Sequence, residues 1–492
     1  MHRSGPLVPL VALGAAAAPL AAQEAPTSTV ARLTAVESAV VRVTGAHVDA
    51  IWPGFRPDTI PVVYVVPGQG SLLLNWPSGD LPDGFSRIPG VPRAGWQGAA
   101  VRTAASTSTA LAGRSAAQVF VFPDADDAQV FGTTVHEAFH VFERELARDG
   151  RRFGGAENAF LVSTYPVFDP KNEAGVALEG RLLSRAAAAR SPAEAREAAQ
   201  EFVAAREVRQ RKLGSEFSDF ETQGELNEGL AEYALVRVLQ LAESDPAIAW
   251  RAGATAEIER HRLRLDSLTA SAGRSLRYRL YVTGPAIGLL LDRLAGPGWR
   301  SALERDDLTL VDELAIASGY RDPERALLAR AARAVDTAAL AGDAVAAVAR
   351  LRAARRGQVD SVLAQPGLTV VLRSDSIGIG RMGVCGIDPQ NLLQVDSAVL
   401  LHTRWVRPCG AGYSGEFSSP AVQNRAAGTF TAVVGPEAEV RITAGGTPLT
   451  VRDGEAVTVA DLKVVAPGAT LEAARAVLRR TARTLDVTPL RR

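Results

Sequence analysis

Cysteine is nearly absent from this chain: of its 492 residues, only Cys385 and Cys409 carry a thiol. That excludes a disulfide-knit scaffold. It also excludes a cysteine-ligated zinc site, because no histidine or further cysteine accompanies the pair at zinc-site spacing. Lysine is confined to Lys171, Lys212 and Lys463, so arginine supplies nearly all the positive charge. Acids and bases balance at 54 each, and the formal net charge is zero. A nucleic-acid binder would gather a basic surplus on one face, so no nucleic-acid partner is expected. Past the N-terminus no run of about twenty apolar residues occurs, and the mature chain should have no membrane span. No tandem repeat of solenoid period is present either.

At the N-terminus, Arg3 precedes an apolar run from Leu7 to Ala22 and small residues before Glu24. This is the layout of a secretory signal peptide, expected to cover 1–23. The mature protein should then be exported, to the periplasm or the extracellular space. In that compartment Cys385 and Cys409 are most simply one disulfide, worth about 3 kcal/mol by the chain-entropy model. A hydrophobic content of 47% over this length allows two or three domains.

Histidine is scarce too, yet two of the six fall in Thr133-Thr134-Val135-His136-Glu137-Ala138-Phe139-His140. On a helix, residues four apart lie one above the other, so His136 and His140 can meet one tetrahedral ion. Glu137, one residue on, is placed to take a proton from the attacking water. This is the HExxH arrangement of a zinc hydrolase, with Zn2+ as the expected cofactor. The third ligand is not the histidine of metzincins, because Val141-Phe142-Glu143-Arg144-Glu145-Leu146 has neither the glycine nor the histidine of that pattern.

A carboxylate is the better candidate, and Gln223-Gly224-Glu225-Leu226-Asn227-Glu228-Gly229-Leu230-Ala231-Glu232-Tyr233 offers several. Glu221, Glu225, Glu228 and Glu232 recur at helical spacing, an acidic stripe without an interleaved cation. Such a row fits best when a divalent cation or a histidine faces part of it. Glu179, in Asn172-Glu173-Ala174-Gly175-Val176-Ala177-Leu178-Glu179-Gly180, is the rival ligand.

Asn227-Glu228-Gly229-Leu230-Ala231-Glu232-Tyr233 resembles the NEGFA-type segment of gluzincin aminopeptidases, whose glutamate after the asparagine is the third zinc ligand. The resemblance makes that ligand Glu228. It also makes Glu232 similar to the carboxylate that hydrogen-bonds a zinc-ligating histidine in thermolysin-like enzymes. Tyr281-Val282-Thr283-Gly284 looks like the YxxG segment that opens a helix in the same family. There the tyrosine donates to the oxyanion, which implies Tyr281 as the donor, with Tyr278 as a substitute.

Two departures stand beside these matches. Residues 141–227 separate His140 from Glu228, against roughly twenty in common gluzincins, so an insertion must be looped out. There is also no GxMEN segment to hold a free amino group, and exopeptidase activity is not implied.

The fold class expected is α+β: a zincin-like, mostly helical catalytic domain with a small N-terminal sheet, then a C-terminal all-β domain. Its parts are a mixed lobe over 24–124, a helical zinc-peptidase domain over 125–356 and a β-rich domain over 367–492. Residues 24–124 read as short strands among turns, such as Thr59–Val66 and Ala117–Phe122, and the edge of the latter could hold an extended substrate. The HExxH helix should start near Asp126 or Asp127 and stop near Asp149-Gly150. An amphipathic segment from Thr470 to about Leu485 should close the β domain, and His402 reads as a structural histidine. The function expected is hydrolysis of a peptide or protein substrate. A zinc hydrolase of a non-peptide amide or ester, or a non-catalytic binding protein on the same fold, is the alternative.

Overall fold

The computed structural model describes residues 25–77, 79–98, 106–146, 158–268, 276–306, 308–321, 324–373, 383–388 and 391–490. The expected signal peptide and the expected helix stop at Asp149-Gly150 lie outside the described residues. The chain divides into two compact units, one holding residues up to 145 together with 234–258 and the other the remainder.

The first unit begins with a helix where the sequence reading has strands and turns: α1 spans Thr27–Ala46. Its valines and threonines favour strand, but Val30, Leu33, Val36, Val40 and Val43 recur at helical spacing and are buried, and that burial outweighs β propensity. Six strands follow: β1 (Val62–Val66), β2 (Gly70–Leu74), β3 (Ser86–Arg87), β4 (Gly95–Gly98), β5 (Thr107–Leu111) and β6 (Arg114–Phe120). They form one sheet in the order β3-β4-β2-β1-β6-β5. The strand read over Ala117–Phe122 is therefore not an edge. β6 pairs with β1 on one side, in parallel, and with β5 on the other, so its backbone groups are already used.

β6 leads into α2 (Asp127–Glu145), which carries the HExxH sequence. Asp126 starts it in a reciprocal cap: its Oδ1 accepts from the Gln129 N–H, and Gln129 Oε1 accepts from the Asp126 N–H. Phe139 packs edge-on against Trp52 and Phe55, with ring centroids at 5.5 and 5.3 Å. Two turns earlier on the same face of α2, a Cβ on Gly132 would sit 3.0 Å from the Leu235 side chain. On the sheet side, the Tyr64 hydroxyl donates to Glu37 at 2.7 Å and lies 3.0 Å from Thr134 Oγ1, tying α1, β1 and α2 together. Burial pushes the Glu37 carboxyl up from its usual range.

The second unit opens with helices. α3 (Pro170–Ala188) is capped by Asp169, and α4 (Pro192–Leu213) starts with a full capping box between Ser191 and Glu194. α5 (Ser215–Gly224) runs into a π-helical turn over Glu225–Gly229, which continues as α6 (Leu230–Ser244), a helix that belongs to the first unit from Ala234 on. Then come α7 (Arg251–Ser267), counted with the first unit as far as Ile258, and α8 (Leu276–Ala295), α9 (Trp299–Asp306), α10 (Leu310–Ser318), α11 (Glu324–Ala334) and α12 (Thr337–Leu363). The alanine-rich stretch after Pro323 is thus two helices, broken where Asp336 caps the second.

Glycines let α8 lie directly on the π turn. A Cβ on Gly284 would sit 2.3 Å from the Gly229 Cα, and one on Gly288 would sit 2.6 Å from the Tyr233 ring. Gly284→Ala is therefore expected to destabilise the protein by about 3 kcal/mol, since the obstructing atom is backbone and cannot rotate away. Urea unfolding checks this, and an unchanged midpoint would show that the two segments have room to part.

From Leu368 onward the chain is β-structured, with thirteen strands in one near-barrel sheet among the described residues. Pairing is antiparallel except where Thr484–Pro489 runs parallel to Leu368–Arg373. The interior collects Leu368, Val370, Leu372, Phe417, Phe430 and Leu478. The amphipathic segment expected over Thr470–Leu485 is two strands, Ala469–Thr481 and Thr484–Pro489, which alternate buried with exposed residues. Cys385 and Cys409 form a disulfide between the paired strands Gly383–Ile387 and Val406–Gly410. His402 is buried, its Nε2 3.0 Å from Gln423 Oε1, and burial holds its pKa below the ordinary histidine value. No helix among the described residues is long and apolar enough to cross a membrane.

Candidate metal centre

Helical stacking in α2 brings the two imidazoles of the HExxH sequence together. His136 Nε2 and His140 Nε2 are 3.2 Å apart, with the rings nearly perpendicular at 84°. Two nitrogens bound to one tetrahedral zinc at about 2.0–2.1 Å stand about 3.3 Å apart, so the pair already has the spacing of ligands. Both histidines are buried.

The next turn supplies a carboxylate that the sequence reading passed over. Glu143, fully buried, puts Oε2 3.0 Å from His140 Nδ1. A carboxylate on that nitrogen keeps the proton there and leaves the Nε2 lone pair for a metal. Its i+3 spacing from His140 is the signal in the sequence that marks it. Glu137 is buried on the same helix.

Glu228 joins the histidines. One ligand atom from each of His136, His140 and Glu228 lies within 4.8 Å of the others, and all three residues are buried. Glu228 sits in the π turn rather than in a regular helix. Such turns carry an extra residue per turn, re-aim side chains and are frequent at functional sites.

Glu179 is not in this group. Its two oxygens accept from Arg206 Nε at 2.6 Å and Arg209 Nε at 2.5 Å, which commits it to a buried ion network. Glu221 and Glu225 belong to the same network: Arg209 Nη2 meets Glu221 Oε2 at 2.8 Å, and Arg206 Nη1 meets Glu225 Oε1 at 3.0 Å. Despite burial, the arginines bring the Glu221 carboxyl down to about 2.

The acidic stripe is therefore balanced in a way its own sequence does not reveal. Each of its four carboxylates has an arginine from another helix, with Arg277 on Glu228 at 2.7 Å and Arg264 on Glu232 at 2.9 Å. Neutralising the row does not require a metal ion. Glu232 also has His261 Nδ1 at 3.4 Å.

Tyr281 lies in the second turn of α8, not at its opening, and its hydroxyl hydrogen-bonds the Glu228 carboxylate. Burial, with the Glu228 charge added, pushes its pKa up, so it stays protonated and can donate. The Tyr278 hydroxyl lies 3.5 Å from Ser267 Oγ.

Comparison of the chain with protein-family models, with curated proteins and with solved structures finds no match. What the site can hold must be judged from its own donors. Two imidazole nitrogens at tetrahedral spacing and one carboxylate, all buried, fit a divalent metal ion. The His140–Glu143 contact fits as well, since it fixes the ring in the orientation that ligation needs.

Proposed function

We propose that this chain is an exported zinc-dependent peptidase of gluzincin type with a zincin-like catalytic fold. The observation that carries the reading is the His136–His140 nitrogen pair at 3.2 Å, grouped with the Glu228 carboxylate. His136, His140 and Glu228 would hold the ion, with Glu143 steadying His140. When bound, zinc supplies Lewis acidity, polarising the scissile carbonyl and acidifying water.

Glu137 is the general base. It accepts a proton from the water that attacks the carbonyl and passes one to the leaving amine. The Tyr281 hydroxyl, which donates to Glu228 in this structure, would turn its hydrogen bond to the developing oxyanion. The layout of residues 1–23 and the Cys385–Cys409 disulfide support export.

The test is hydrolysis of a broad peptide library by the purified protein. Cleavage that disappears with chelator and returns with added zinc is expected, and no cleavage after zinc loading would remove the peptidase reading. Tyr281→Phe deletes one hydroxyl and should lower turnover by about tenfold or more with little change in KM. Should Tyr278→Phe have that effect while Tyr281→Phe does not, the donor has been assigned to the wrong tyrosine.

A further inference from the structure

Arg277 engages the same carboxylate as the metal would. Its Nη2 donates to Glu228 Oε1 at 2.7 Å, and the two side chains are only 16% and 9% exposed, so bulk water screens the pair little. Asn227 Nδ2 lies 3.4 Å from the same oxygen, and the Tyr281 hydroxyl bonds the carboxylate too. The guanidinium also lies over the Tyr281 ring, 5.9 Å from its centroid. Glu228 thus has a full positive charge and neutral donors as neighbours.

These neighbours act on a metal in opposite ways. A neutral donor such as the Tyr281 hydroxyl orients a ligating carboxylate and leaves its charge in place. A guanidinium orients it as well, but offsets the single negative charge that the site offers a dication. In a poorly screened environment it also repels that dication directly. The imidazoles are neutral when they ligate, so Glu228 is the only formal negative charge among the three ligands, and Arg277 cancels it.

We propose that Arg277 competes with the metal ion for Glu228, lowering the affinity of the site and making its metal exchangeable. This inference rests on the metal-site reading above. The other three arginines of the acidic stripe contact carboxylates outside the ligand group, so the effect belongs to Arg277.

The experiment is zinc affinity, measured on the full mature chain by competition with a chromophoric chelator. Arg277→Met keeps the stem and removes the charge, and should bind zinc about tenfold more tightly or better. Arg277→Lys keeps the charge and loses the planar fork, and should stay within about threefold of wild type. Tyr281→Phe should show no tightening.

Equal or weaker binding in Arg277→Met would overturn the proposal and make Arg277 a positioning residue for Glu228. Should Arg277→Met not fold, Arg277→Lys decides alone: affinity near wild type supports a charge effect, and a drop of about tenfold or more overturns it. The metal-site reading fails in a different way. Wild type that takes up no zinc, or Glu228→Gln that retains it fully, removes that reading and this inference with it.

Discussion

Glu137→Gln is expected to abolish nearly all peptide hydrolysis, by about 10² to 10⁴ in turnover, while zinc content stays at the wild-type level. The substitution is nearly isosteric and removes a proton acceptor without removing a ligand. Glu137 is buried on α2 and follows His136 directly in sequence, and glutamine keeps its size and shape. A structural role would show differently, as a loss of metal or of thermal stability in step with activity. Turnover within about threefold of wild type would remove Glu137 as the base.

The second large effect concerns the third ligand. Glu228→Ala should strip zinc at micromolar free metal, because the site falls to two imidazoles. Glu143→Ala and Glu232→Ala, which leave the ligand set intact, should weaken binding by only about 10- to 100-fold. Glu143 acts through His140 Nδ1, and Glu232 is the carboxylate that the family resemblance assigns to a similar duty.

Glu179→Gln serves as the contrast. It should leave zinc affinity unchanged and lower stability by about 3 kcal/mol or more, since Arg206 and Arg209 would each lose a buried charge partner. Equilibrium dialysis and thermal unfolding separate the two outcomes. Full zinc retention in the Glu228 variant, with loss in the Glu179 variant, would move the third ligand into α3.

The residues of α2 were legible because both the helix and the ligand spacing follow from one local rule. A stacking period of 3.6 puts His136 over His140 whatever surrounds them, and Asp126 marks the start of the turn. Glu228 could be picked out only by resemblance, since the π turn that carries it arises from contacts remote in sequence. Gly229 faces Gly284, and Glu225 is held by Arg206 and Thr283.

The acidic stripe shows the limit most clearly. Read along the chain it lacks cations; in the folded chain each carboxylate has an arginine supplied by α4, α7 or the start of α8. Likewise α1 was missed because its residues favour strands one by one, while the spacing of Val36, Val40 and Val43 favours a helix. In the β region alternation marks a strand over Glu455–Val459, which is the first part of Ala456–Ala466, but the parallel pairing of the last strand with Leu368–Arg373 has no local signature.

Metal content of the purified mature protein tests the central claim most directly. Elemental analysis after dialysis against micromolar zinc should find about one zinc per chain, reduced to background in both His136→Ala and His140→Ala. Wild-type protein that holds no zinc under those conditions, or variants that hold as much as wild type, would contradict the account at its base.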